Sequence, residues 1–425
     1  MLEQVARPAS AVSPLTSAIG FLGFCGSLAL LIGRHELDTL RCVVLACAVA
    51  ATLMALVELL VFRASHREST GLDWNAAPRD DWPRVLTKLA GLLATMIAVG
   101  AVYWLAPEYH GEFYLPYYKA LVFVVPLWLL IAVPYFWYVD RMQRNPHDGY
   151  WHMGLIFTGR AAQADRALLS QHLLGWVVKG YFLPLMLVYL VQNVDWLRFT
   201  MQNPWRSDWL WVYEGAFRLT FIIDLAFCVI GYTLSLRVID SHMRSVEPTL
   251  FGWAVTLVCY EPFWSLINTA YLNYESGRAW VTLLEGRTAL AWIWGGVIIA
   301  LLAVYSWATV VFGLRFSNLT HRGIITNGPY RWVRHPAYFC KSLSWWLVAV
   351  PFIPLQGNLF EAVRLSALLL LLNAVYVLRA WTEERHLRRD PAYVRYAEWI
   401  DQHGLVARLR RLIPVVSFAR RKTLV

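Results

Sequence analysis

Charge and cysteine are both scarce in this chain, and each shortage removes a class of protein. Only 16% of the 425 residues are charged, 58% are hydrophobic and the mean hydropathy is +0.45. A soluble domain carries about a quarter charged residues, so an ordinary soluble fold is excluded. The six cysteines, Cys25, Cys42, Cys47, Cys228, Cys259 and Cys340, form no C-x-x-C pair and fall mostly inside apolar runs, where cysteine acts as a small buried hydrophobe. They carry no zinc or haem signature, and no metal site is expected. No repeat of about 20 to 50 residues and no Gly/Ser-rich linker is visible. The first apolar run follows a segment whose only charges are Glu3 and Arg7. With no small-residue cleavage site ahead of a long hydrophilic stretch, it is expected to remain as a span rather than to be removed as a signal peptide.

What is abundant is long apolar sequence. Runs of about 18 to 22 apolar residues predict about ten spans, centred near Ala29, Ala50, Thr95, Trp128, Pro184, Ala226, Val258, Ile298, Leu347 and Leu370. The expected fold is all-α, a polytopic membrane protein of about ten transmembrane helices. An even number of spans puts both termini on one side. Lys and Arg crowd the loops that share that side, so both termini are predicted to be cytosolic. The net charge of +10 is then a consequence of topology, and nucleic acid is not an expected partner because the charge is not spread over a soluble surface. The partner is the bilayer: the basic stretch Arg408 to Lys422 could also grip anionic headgroups, at about 1 kcal/mol per basic residue. The excess of Arg over Lys suggests a GC-rich bacterial genome, and so an inner membrane. Oligomeric state is not legible.

Charges inside apolar runs are expensive, which makes Glu58, Lys179, Asp224, Glu261 and Lys341 informative. Glu58 and Lys179 fall near span ends, where interfacial placement accounts for them. Glu261 precedes Pro262, whose ring removes a backbone donor, so a polar cavity with a catalytic or substrate role for Glu261 is one expectation and an interhelical hydrogen bond the other. In the loop after Asp140, Asn145-Pro146 and Asp148-Gly149 are turn formers, and an amphipathic helix is expected over Gly159 to Leu169. Trp196, Trp205, Trp209 and Trp211 form an aromatic belt on the opposite side.

The segment Thr320 to Leu347 and the pair Glu383-Glu384 stand apart from topology. Asn327-Gly328-Pro329 signals a turn, and Pro336 suits a first helical turn, so His335 falls at a helix N-terminus beside Arg331 and Arg334. Free N–H groups and guanidiniums there favour an anionic group. Helical spacing puts Tyr338, Lys341, Ser342 and Trp345 on one face, a polar and aromatic lining. In VYVLRAWTEERHL, Tyr376, Arg379 or Ala380, and Glu383 recur at helical spacing with Glu384 beside them. One carboxylate can face a pocket while the other pairs with Arg385 or Arg388.

The ordered set Gly328-Pro329-Tyr330, Arg334-His335-Pro336-x-Tyr338, Glu383-Glu384-x-x-Leu387 and Asp390-Pro-x-Tyr393-x-x-Tyr396 resembles the isoprenylcysteine carboxyl methyltransferase family, within the wider circle of membrane phospholipid methyltransferases. The resemblance implies a C-terminal methyltransferase core, residues 206–425, behind an N-terminal transmembrane module, residues 1–205, of unassigned role. It implies S-adenosylmethionine as cofactor in a cytosol-facing pocket, with Tyr330, Arg334, His335, Pro336, Tyr338, Glu383 and Glu384 around it, and a lipophilic acceptor entering from the bilayer. Arg334, His335, Lys341 and Glu261 are the candidate catalytic residues. Where many relatives carry Gly two residues after the motif tyrosine, this chain has Cys340 and then Lys341, which could meet an acceptor carboxylate or phosphate, or snorkel to the interface.

Methyl transfer would be an in-line displacement by an acceptor oxygen, sulfur or nitrogen. A carboxylate acceptor needs no base, whereas an amine or hydroxyl needs one, from His335, Glu383 or Glu261. A membrane sterol-type reductase using NADPH also resembles R-H-P-x-Y. Such reductases tend to carry Asn after the proline and an R-D-E-x-R-C run, and Ala337 and Glu383-Glu384 favour the methyltransferase instead. A transporter or scaffold is the non-enzymatic alternative.

Overall fold

The computed structural model describes residues 6–202, 209–274, 279–354 and 358–412. Trp205 of the expected aromatic belt and the end of the basic tail, 413–422, lie outside the described residues. Among the described residues the chain is all-α apart from one two-residue antiparallel pair, and eight helices there are long and apolar enough to cross a membrane. It divides into two compact units, one of residues 15–266 and 312–322, the other of residues 1–14, 267–311 and 323–425. This is a division by packing, distinct from the division by function expected at 205/206.

The first unit holds α1 (Pro14–Leu31), α2 (Thr39–Leu56, extended by a π-turn to Val61), α3 (Trp82–Leu105), α4 (Leu115–Met142), α5 (Gly149–Phe157), α6 (Arg166–Gln202), α7 (Trp209–Thr233), α8 (Leu250–Leu257) and α9 (Phe263–Ile267). Helix α5 starts where Asp148 accepts the N–H groups of Tyr150 and Trp151. It packs on α3 through two glycines: a Cβ on Gly91 would lie 1.9 Å from the Tyr150 carbonyl oxygen, and one on Gly154 1.9 Å from that of Thr87. No amphipathic helix spans 159–169. Gly159 at φ +78° ends the preceding turn, and Asp165 begins α6 by accepting from Ala167 and Leu168.

Two of the ionisable groups buried in this unit, Glu58 and Lys88, are paired. Glu58 is 3% exposed, accepts from the Thr16 hydroxyl at 2.7 Å and faces Arg67 at 2.9 Å. Lys88, inside α3 and 1% exposed, meets Asp140 at 2.8 Å and Asp148 at 3.1 Å. The strands β1 (Ser245–Val246) and β2 (Thr320–His321) bring the loop after α7 to the loop before Arg322. Arg322, 2% exposed, fixes that junction by donating to the carbonyls of Gly231 (2.7 Å), Leu234 (2.6 Å), Phe316 (3.0 Å) and Ser241 (2.7 Å from Nε).

The expected span near Val258 is divided into α8, α9 and a π-turn, Asn268–Leu272. Pro262 has no N–H to continue a ladder, and Asn273 at φ 31° closes the segment.

The second unit adds α10 (Trp280–Leu283), α11 (Thr288–Val310), α12 (Pro336–Ala349), α13 (Leu359–Leu387), α14 (Pro391–His403) and α15 (Leu405–Leu412). The expected span near Leu347 is α12, whose 14 residues cover about 21 Å against a hydrocarbon core of about 30 Å. Pro336 sets its start, and Val350 at φ 45° its end. Helices α11 and α12 pack side by side, with Trp294 Nε1 donating to the Leu347 carbonyl at 2.9 Å.

Candidate functional site

The site is the loop 323–335 with the helix ends around it, all within the second unit. Gly328 takes φ +54° and a Cβ there would come within 2.6 Å of Val311 Cγ1, so the turn into Pro329 requires glycine. The N-terminal segment runs along the same loop. Ala11 N–H donates to the Ile324 carbonyl at 2.8 Å, the Thr326 hydroxyl to the Pro8 carbonyl at 2.9 Å, and Asn327 Nδ2 to the Val12 carbonyl at 2.9 Å. On its other flank α14 buries Tyr393, Tyr396, Ala397 and Ile400 against Ile324 and Tyr330, with the Tyr396 hydroxyl on the Tyr330 carbonyl at 2.7 Å.

Asn327 is 4% exposed, so Asn327→Ala leaves the Val12 carbonyl without its donor. The expected loss is about 1–3 kcal/mol, read as a lower thermal midpoint and faster proteolysis within residues 6–12. Wild-type cleavage kinetics in the variant would show that the N-terminal segment is held by other contacts.

The loop delivers Arg334 and His335 to the C-terminal turns of α13. Glu384 accepts from Arg334 Nη1 and from His335 Nε2, each at 3.1 Å, and from Arg388 at 3.3 Å. An ionised carboxylate only accepts, so the imidazole carries its proton on Nε2 in this contact. Arg334 also reaches Asp401 at 2.7 Å and the Ala397 carbonyl at 3.1 Å, tying α14 to the loop. Burial by itself lowers the Arg334 pKa, and the facing Glu384 and Asp401 carboxylates reverse that and raise it. The Tyr338 hydroxyl donates to Glu383 at 2.8 Å, so both members of the acidic pair face the R-H-P-x-Y segment. Glu384 is the member that pairs with Arg388, one of the two partners expected for the acidic pair; α13 continues to Leu387, and both residues near its end reach the neighbouring loop.

Aromatic rings line the same end of α12 and α13. His335 stacks on Tyr338 at 5.4 Å, and Tyr376 meets the rings of Tyr338 at 5.6 Å and Trp345 at 5.2 Å. Lys341 Nζ lies 5.6, 5.3 and 5.9 Å from the ring centres of Tyr305, Trp345 and Tyr376, and Arg379 lies 5.1 Å from that of Tyr338. Lys341 therefore turns onto the rings. Tyr338, Lys341 and Trp345, expected on one helix face, share these contacts with Tyr376, Arg379 and Tyr305.

Two buried atoms near the acidic pair make no hydrogen bond among the described residues, Arg334 Nε and the Tyr393 hydroxyl. Burial, followed by the nearby Glu384 and Glu383 charges, pushes the Tyr393 pKa up, so the hydroxyl stays protonated and is a donor. Of the remaining predicted residues, Pro336 opens α12 and Tyr330 offers its carbonyl to Tyr396. Glu261 lies in the first unit, where its carboxylate takes the Ser265 hydroxyl at 2.6 Å and the Ser265 N–H at 3.2 Å. Asp401, the second carboxylate on Arg334, was not predicted; its place after the D-P-x-Y-x-x-Y run on α14 is the only sequence hint.

Fold and site define a polytopic helical membrane protein in which a Gly-Pro turn meets an acidic helix end. A sequence model of the isoprenylcysteine carboxyl methyltransferase (ICMT) family matches residues 290–389, from α11 through the site loop to the end of α13. That segment is isoprenylcysteine carboxyl methyltransferase-like, and it supports a membrane methyltransferase. The match ends before Asp390 and covers about a quarter of the chain. No curated protein and no solved structure matches the chain.

Proposed function

We propose that this protein transfers a methyl group from S-adenosylmethionine to a lipid-embedded acceptor, with the site on the cytosolic side and both termini there. One observation carries the reading: within the matched segment, Arg334, His335 and Tyr338 close directly onto Glu383 and Glu384.

S-adenosylmethionine would supply an electrophilic methyl on a positively charged sulfur. The chain's own residues suit such a donor. The faces of Tyr338, Trp345 and Tyr376 already accept the cations of Lys341 and Arg379, and ring faces that attract one cation attract another. Glu383 and Glu384 can accept amino and hydroxyl protons. Arg334 Nε and the Tyr393 hydroxyl are donors that lack a partner among the described residues, and they suit a carboxylate. Lys341 would meet a carboxylate or phosphate on the acceptor. Such an anionic acceptor needs no base, and for an amine or hydroxyl His335 or Glu383 could take the proton.

Calorimetry of purified protein tests the reading. S-adenosylhomocysteine is expected to bind and NADPH is not, and His335→Ala should weaken S-adenosylhomocysteine by at least about tenfold, near 1.4 kcal/mol. Binding of NADPH alone would sink the methyltransferase and favour the reductase. Radiolabelled methyl transfer into a lipid extract separates a lipid acceptor from a protein one.

A further inference from the structure

A second concentration of charge lies in the first unit and includes none of the residues assigned to methyl transfer. Its centre is Asp240, whose side chain is 2% exposed. Arg315 Nη2 reaches it at 2.9 Å, Arg244 Nη2 at 3.5 Å, Arg67 Nη1 at 3.7 Å and His242 Nδ1 at 4.0 Å, while the Ser69 hydroxyl donates at 2.8 Å. Glu58 is shared with Arg67. Arg237 adds another guanidinium, bonded through Nη1 to the neutral Thr70 carbonyl at 3.0 Å. Two carboxylates thus face four guanidiniums, and Arg322, paired with carbonyls, contributes further positive charge without an acid.

An excess of like charge in a site sheltered from water is unfavourable unless an anion joins it. Burial by itself would raise the Asp240 pKa, and Arg315 and its neighbours hold it below the usual carboxylate range, so Asp240 already contributes its full negative charge. Two atoms mark where more would be accommodated: Arg244 Nε and His242 Nδ1 are buried and make no hydrogen bond among the described residues. Access differs across the cluster. Arg315 is 2% exposed, whereas Arg67 and Arg244 keep 29% and 25% of their side chains open. Depth points to the chemistry of the ligand. Arg67 follows the span that ends at Val61, and Arg237 to Arg244 follow the span that ends at Thr233, so the open side of the cluster lies where apolar helices stop and lipid headgroups begin.

We propose that Arg67, Arg237, Arg244 and His242 form a binding site for a phosphate group, presented by an anionic lipid headgroup or as free phosphate, with Asp240 and Glu58 holding the guanidiniums in place. Guanidiniums suit phosphate because their planar donor pairs match its oxygens. The site stands independently of methyl transfer, and its test does not use the methyl donor.

Thermal denaturation in detergent, with phosphatidylglycerol, diacylglycerol or inorganic phosphate added, reads the site. Phosphatidylglycerol is expected to raise the wild-type midpoint and diacylglycerol to leave it unchanged. Arg244→Gln should weaken phosphatidylglycerol by about tenfold without lowering the midpoint of the lipid-free protein, because it relieves an excess of positive charge. Inorganic phosphate that matches the effect and competes with phosphatidylglycerol identifies free phosphate as the source; a lipid effect that phosphate does not compete with identifies the headgroup. A purely structural ion-pair node predicts the reverse pattern, a lower lipid-free midpoint with unchanged phosphatidylglycerol affinity, and that result overturns the proposal. Arg237→Gln leaves the contacts of Asp240 with Arg67, Arg244, Arg315 and His242 intact and gives the same reading where Arg244→Gln does not fold. Wild-type phosphatidylglycerol affinity in both variants also overturns it.

Discussion

Glu384→Gln is expected to weaken S-adenosylhomocysteine binding by about 30- to 100-fold, or 2–3 kcal/mol at 1.4 kcal/mol per tenfold, and to reduce methyl transfer at least as much. Glu384 is the one carboxylate on which Arg334, His335 and Arg388 converge. The glutamine keeps the shape and one acceptor oxygen while removing the charge. Removing one partner of a buried, hydrogen-bonded charge pair costs about 2–5 kcal/mol, and because Glu384 and Arg334 keep 18% and 19% of their side chains exposed, the lower half of that range applies. Arg334 retains Asp401 and the Ala397 carbonyl, so α14 should stay docked and the thermal midpoint should move little. Calorimetry and a melting curve on the same preparation separate the two effects. Affinity within about threefold of wild type (under 1 kcal/mol) in a folded variant would remove Glu384 from the site. A midpoint that falls in step with affinity would make it a structural residue.

Arg322→Met is expected to destabilise the first unit by about 3–5 kcal/mol, the range for removing one side of a buried charged network. The guanidinium is 2% exposed and bonds the carbonyls of Gly231, Leu234, Ser241 and Phe316. Methionine fills similar space without donors, leaving four acceptors to find water in a closed junction, at about 1–3 kcal/mol for each that stays unpaired. Arg322→Lys should recover only part of the loss, since an ammonium has three donors and no planar fork. Thermal denaturation in one detergent checks both variants. A change under about 1 kcal/mol, the size of a single ordinary hydrogen bond, would mean that the β1–β2 pairing and neighbouring contacts hold the junction without Arg322.

Much of the site was legible because its rules are local. Pro336 can open a helix but not continue one, which placed His335 at the N-terminus of α12. Helical spacing put Tyr338, Lys341 and Trp345 on one face. The pair Glu383-Glu384 stood out because carboxylates are rare beside an apolar span. The roles of individual charges were much less legible. Glu58 is buried against Thr16 and Arg67, partners that its place near a span end does not name. Lys88 drew no notice, though it joins Asp140 and Asp148 in the interior. Arg322 carries no sequence mark of its four carbonyl partners. The contacts of residues 8–12 with the site loop run largely through main-chain groups, which leave little side-chain pattern to read.

The count of spans marks the boundary between these two kinds of knowledge. Hydropathy found the eight long apolar helices of the described residues but also assigned spans near Val258 and Leu347, where the helices are short. Hydropathy measures burial in something apolar and does not distinguish lipid from protein. The sequence by itself determined the membrane class, the helix start at Pro336, and the residue types gathered near the C-terminus, because solvation and proline geometry act within a few residues. Only the tertiary structure decided which carboxylate each cation takes, that Glu261 bonds Ser265, and that Asp401 and the N-terminal segment support the site. Those pairings depend on distances between residues far apart in the chain, and residue type and spacing do not encode such distances.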